Sequence, residues 1–176
     1  MNTLTLIRPL ALAAAVAVSL AACSESPRDT AKDVADAKRE RASDVAEAQR
    51  NLDVAVAKGE AEVREAAADA KENVTQTRLD PDADAEDLRE AQQDAAESVA
   101  AQDGDAMERN AKAAYKLAIA RAEGDYKVAI EQCEGIQVDA QRNVCKQTAE
   151  RTLEVAKSQA EAVRDEAERV ASNLKR

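Results

Sequence analysis

From Cys23 to the C-terminus the chain holds only 13 Val, 6 Leu and 3 Ile in 154 residues, with no Phe and no Trp anywhere. These 22 bulky side chains are about 14% of the segment, below the ~20% found even in poorly folding globular chains. A large apolar core is therefore out of reach. Order has to come from the helix propensity of 42 alanines, from side-chain pairs along helices, from a cross-link, or from contact between chains. Where the few bulky residues fall decides the fold, and they fall at helical spacing. The pattern predicts an all-α fold of long, elongated, amphipathic helices resembling coiled coils, closed by a disulfide-linked helical hairpin at the C-terminus.

The clearest stripe lies in residues 30–78. Val34, Val45, Leu52, Val56, Val63 and Val74 fall within about a 40° arc at 100° per residue. Ala31, Ala48, Ala66, Ala67 and Ala70 fill it in, and Val54 lies off it. Asp33-Val-Ala-Asp-Ala-Lys38 recurs as Asp44-Val-Ala-Glu-Ala-Gln49, an 11-residue step that favours a straight or slightly right-handed coil. Gly59 is a weak point inside this helix, costing about 1 kcal/mol relative to Ala. Asp80-Pro81 should end it, since the residue before proline is pushed away from helical angles.

Residues 79–105 read as an acidic linker and a short helix: Asp80 to Asp105 contains ten acids and one base, Arg89. Asp82 or Asp84 can cap the helix that follows. The Asp80, Asp82, Asp84 spacing imitates the start of a calcium loop, but Ala85 stands where that loop needs glycine and Ala91 where it needs a closing glutamate. Gly104 is the next expected break, with Asp105 and Glu108 forming a restart like a capping box.

Residues 106–176 read as a hairpin of two helices. Met107, Ala111, Tyr115, Ile119, Ala122, Tyr126, Ile130 and Cys133 share one face of the first. Gly135 suits a C-terminal cap and Asp139 an N-cap. The second follows Cys145, Ala149, Thr152, Ala156, Val163, Ala167, Val170 and Leu174. The pairs Glu60/Arg64, Glu108/Lys112, Glu123/Lys127 and Asp165/Arg169 stand four apart and add a few tenths of a kcal/mol each. Cys133 closes one stripe and Cys145 opens the next, which is the arrangement of a disulfide-stapled hairpin. Closing that loop stabilises by about 3 kcal/mol. Two reduced cysteines acting as small apolar residues, or a bridge between chains, are the competing readings.

Chemistry is narrowly bounded. Without histidine there is no proton shuttle of ordinary pKa near neutrality, and three cysteines cannot make a four-ligand zinc site. Carboxylates abound, but nothing so polar can dry a pocket enough to retune them. We expect no catalytic residue, no cofactor, no metal and no small-molecule substrate. Nucleic acid is not an expected partner, because the net charge is −10 and aromatics are nearly absent.

Residues 1–22 differ from the rest. One charge, Arg8, precedes the apolar run from Leu10 to Ala22, too short to span a bilayer and flanked as a secretory signal is. The run ends in Leu20-Ala21-Ala22-Cys23, which resembles the lipobox of bacterial lipoproteins. That resemblance implies cleavage before Cys23, its modification with diacylglycerol, and acylation of the new amino group. Two or three acyl chains hold firmly where one binds reversibly. Ser24 rather than Asp after the cysteine implies, by the same resemblance, the periplasmic face of the outer membrane. Residues 23–29 then serve as a polar spacer, and removal of residues 1–22 leaves 24 bases against 35 acids, a net charge of −11.

A second resemblance lies in Gly124-Asp-Tyr-Lys-Val-Ala-Ile-Glu-Gln-Cys133 and Asp139-Ala-Gln-Arg-Asn-Val-Cys-Lys146. These are similar to stretches of uncharacterised Ala-rich proteobacterial envelope proteins, which implies export and a helical fold but no activity. The architecture is also similar to that of the abundant outer-membrane lipoprotein that tethers to peptidoglycan, although Arg176 here follows Lys175 where that family ends in its attachment lysine. The expectation is a non-enzymatic, lipid-anchored envelope spacer or interaction scaffold whose stripes take up a protein partner or a second copy. The alternative is a stress-protective or client-binding protein that orders only when dried, crowded or bound.

Overall fold

Three helices account for nearly all of the described residues, 26–176, in this computed structural model. Helix α1 spans Pro27–Leu79, α2 spans Ala85–Glu134 and α3 spans Asp139–Leu174. At 1.5 Å per residue α1 is about 80 Å long. The chain doubles back at Asp80–Asp84 and again at Gly135–Val138, so neighbouring helices run antiparallel. Both α1 and α3 pack on α2, while no Cα of α1 comes within 8 Å of one in α3. The result is a single layer of helices with α2 in the middle, and its fold class is the all-α, elongated one that the periodicity predicts.

Small residues line the seams. The buried positions are Ala37 and Gly59 on α1, Ala91, Gly104, Ala106, Leu117, Gly124 and Cys133 on α2, and Ala149, Ala160 and Ala171 on α3. Only Leu117 and Cys133 carry more than a methyl group. Helices that meet through hydrogen and methyl groups approach closely, and backbone dispersion replaces much of the burial that bulky side chains normally supply. The six bulky residues of the α1 stripe are all at least partly covered, so α2 occupies that stripe within the chain. Val54, off the stripe, is 67% exposed.

Several expectations need correction. Helix α1 begins at Pro27, with Ser26 as its N-cap, so the last part of the expected spacer is already helical. Helix α2 runs through Gly104 without a break; an ideal Cβ there would lie 2.8 Å from the Ala171 carbonyl oxygen. The glycine is thus a point of close approach to α3. Asp105 and Glu108 cap nothing, and both pair instead with Lys175. At the start of α3 the N-cap is Val138, and Asp139, one residue inside, pairs with Arg142 at 3.1 Å. Gly135 is the C-cap of α2, in right-handed conformation. On α3, Val163 is exposed while Ala160 and Ala171 are buried, so the seam follows alanines in preference to the valine.

The turn between α1 and α2 follows local chemistry. Asp80 Oδ1 accepts from the Asp82 amide at 2.9 Å, and Asp84 caps α2 by accepting from Glu86 N at 2.6 Å and Asp87 N at 3.1 Å. The Asp87 carboxylate accepts in return from the Asp84 amide at 2.8 Å, completing a capping box. Of the three aspartates that imitate a calcium loop, Asp80 and Asp84 spend their carboxylates on backbone amides.

Candidate functional site

Cys23 and the Leu20–Cys23 motif lie outside the described residues. The chain that follows is held from Ser26 onward: Ser26 Oγ accepts from the Asp29 amide at 3.3 Å and donates to Asp29 Oδ2 at 2.8 Å. Pro27 sits in the first turn, where its missing N–H removes no helical bond. Three peptide links separate Cys23 from Ser26, at most about 11 Å of chain.

The structure brings Cys133 and Cys145 together at disulfide distance, with their Cα atoms 5.7 Å apart. Cys133 is fully buried. Cys133 is next to last in α2, whereas Cys145 is six residues into α3. The Gly135–Val138 connection reconciles the two by dropping below the level of the pair and returning up α3. Lys146 Nζ bonds Glu134 at 2.5 Å just beside the cysteines, and Arg142 Nε donates to the Ile136 carbonyl at 2.9 Å. The first ties α3 to the end of α2 and the second ties it to the connection.

Ion pairs mark the register of both seams. Between α1 and α2, Arg41 meets Asp125 at 2.6 Å, Lys127 meets Glu40 at 2.7 Å, and Arg109 bonds Glu62. Between α2 and α3, Lys157 meets Glu123 at 2.7 Å, and Lys175 bonds Asp105 and Glu108. Glu60/Arg64 and Glu108/Lys112 pair along their helices as their spacing predicts. Glu123 and Lys127 instead each reach another helix, and Asp165 and Arg169 pair with Arg164 and Glu166. The two hydrogen-bonded lysines hold the Glu108 carboxyl down to about 2. Lys112, Lys127, Lys157 and Lys175 are raised above the ordinary lysine value by their carboxylate partners. All resolved shifts among the described residues favour the charged form, which stabilises ion pairs.

Between α2 and α3 an open groove of about 640 Å³ is lined by Met107, Ala114, Tyr115, Ala118, Val163 and Arg164, among others. The Arg164 guanidinium stands 4.7 Å over the Tyr115 ring, a cation–π contact. The groove is lined in good part by residues of the two predicted stripes, Met107, Ala111, Tyr115 and Ala122 on α2 and Ala156, Val163 and Ala167 on α3; periodicity places them on shared faces but does not tell that part of those faces stays open. Among the described residues no group of three or more acidic, Cys or His side chains is placed to hold a metal ion, and no helix is long and apolar enough to cross a membrane. No known protein family, curated protein or solved structure matches the chain.

Proposed function

We propose that the protein is a non-enzymatic, lipid-anchored helical spacer and interaction scaffold of the cell envelope, held by acylated Cys23 at the periplasmic face of the outer membrane. The observation that supports this reading is the combination of a lipobox-like Leu20-Ala21-Ala22-Cys23 with a helix that starts only at Pro27 and runs for 53 residues. A rod joined to its anchor by so short a link holds its far end about 80 Å from the attachment point when upright. With the α1 stripe taken up by α2, the surface offered to a protein partner is the open groove beside Met107 and Val163. Mass spectrometry of the membrane-extracted protein tests the anchor: an acylated Cys23 at the new N-terminus is expected, and an unmodified one sinks the reading. Proximity cross-linking from Val163 in intact envelopes tests the scaffold role by identifying what lies in the groove.

The 11-residue repeat and the scarcity of bulky residues favour the protectant as second reading. Circular dichroism of the mature chain separates them. High helicity in dilute buffer that survives to about 50 °C supports the scaffold, and coil that turns helical only with cosolvent or lipid supports the protectant.

A further inference from the structure

We infer that the α2–α3 connection is a membrane-contacting foot, in which Val138 presses against the lipid surface beside the anchor and stands the rod upright. The inference rests on the lipid-anchor reading of Cys23. Thr30 packs against Gly135, its Cγ2 only 3.0 Å from an ideal Cβ at that glycine, and the Cys133–Cys145 pair sets α3 against the same level of α2. Counting along the helices, residues 30, 135 and 144 therefore lie at one height. From there α1 descends four residues to Ser26, about 6 Å, and α3 descends five to Asp139, about 8 Å. The loop tip and the start of α1 thus end at the same pole of the rod. With Cys23 at most about 11 Å of chain from Ser26, an anchored Cys23 places this pole at the bilayer surface, the opposite pole at Leu79 standing some 80 Å away.

The residue at the pole suits that position. Val138, in the connection itself, is 52% exposed. Val138 also occupies an N-cap position, and α3 is the one helix of the three whose N-terminus has no side-chain cap. Ser, Thr, Asp or Asn there would stabilise the helix. A locally costly choice of residue points to a use outside the fold, and an apolar side chain directed at a lipid interface is such a use.

The absence of tryptophan gives a clean test. Protein carrying Val138→Trp or Leu79→Trp, expressed from the full sequence and extracted from membranes, is reconstituted into phosphatidylcholine vesicles with and without doxyl-labelled phosphatidylcholine, and vesicle attachment is read by flotation. Emission from V138W should fall by about half in the doxyl vesicles and shift to the blue, because a side chain at the interface sits within reach of shallow quenchers. L79W should be unaffected. If the protein floats with the vesicles but V138W is no more quenched than L79W, the foot is wrong while the anchor stands. If both positions are quenched alike, the rod lies flat and the proposal fails. Failure to float overturns the anchor reading and the foot together. A V144W reporter, about 9 Å further up α3, should be quenched less than V138W and more than L79W.

Discussion

Gly59 of α1 sits directly against Ala106 of α2: a methyl group built on Gly59 would come within 2.9 Å of the Ala106 Cβ. Helix propensity alone says that Gly59→Ala stabilises by about 1 kcal/mol. Overpacking a rigid seam costs roughly 1–3 kcal/mol, and Ala106 has no flexible end to move aside. The net effect of Gly59→Ala is therefore destabilisation, by about 1 kcal/mol. Moving the glycine across the seam with Gly59→Ala and Ala106→Gly together should recover most of that loss. Urea unfolding of the four members of the cycle measures it, and strict additivity would sink the steric account.

Reduction of the Cys133–Cys145 staple should lower stability by about 3 kcal/mol, the loop-closure value for a span of this size. The comparison is the urea midpoint of the oxidised and reduced protein, with Cys133→Ala/Cys145→Ala as the non-reactive control. An unchanged midpoint on reduction would mean that the pair does not bridge in solution. Loss of helicity should begin at the Gly135 end of α3, where the cysteines lie.

The Glu108 carboxyl should titrate near 2 because Lys112 and Lys175 hold its charged form. Its folded value is below its ordinary one, so its contribution is complete above about 4.5 and is lost as pH falls toward 2. Carboxyl-carbon NMR reads this directly, and Lys175→Ala should move the Glu108 midpoint up toward 4.5. A midpoint already near 4.5 in the unmodified protein removes the claim. The raised lysines act in the opposite sense: the pairing of Lys157 with Glu123 is complete at neutral pH and is lost only as pH climbs through the raised lysine value.

Val138→Ser should raise stability by about 1 kcal/mol. The backbone at 138 is extended, φ −91° and ψ 112°, which is the geometry a capping side chain uses. Thermal unfolding of the soluble, unacylated domain checks it. A melting temperature that stays level or falls would show that a hydroxyl at 138 cannot reach the amides of the first turn of α3.

Periodicity made much of this architecture legible. The Val34-to-Val74 stripe, the stop at Asp80-Pro81, the cap at Asp84 and the pairing of Cys133 with Cys145 can each be read within a short window, because each is governed by neighbours a few residues away. Gly104 could not be read that way. Its contact with Ala171 spans 67 residues, and without knowing that α3 passes there a mid-helix glycine looks like a break. The same blindness misassigned Glu123 and Lys127, which stand four apart yet find Lys157 and Glu40 on other helices. Spacing identifies the face of a helix that is covered but not the helix that covers it. On α3, size misled: Val163 seemed the better core residue, but a closely approaching backbone admits Ala160 and excludes a branched side chain. The lipobox-like motif and Cys23 lie outside the described residues and stand on the sequence alone.

The layered arrangement, in which α1 packs along α2 while no Cα of α1 comes within 8 Å of one in α3, has a mechanical side. A tug at Ser26 along the rod is passed to the rest of the molecule by sliding α1 against α2, so every turn of that joint resists at once. Peeling, which would break it one turn at a time, requires a sideways load. A thin joint of glycine and alanine can therefore carry a tether that would strip a similar joint pulled across its axis.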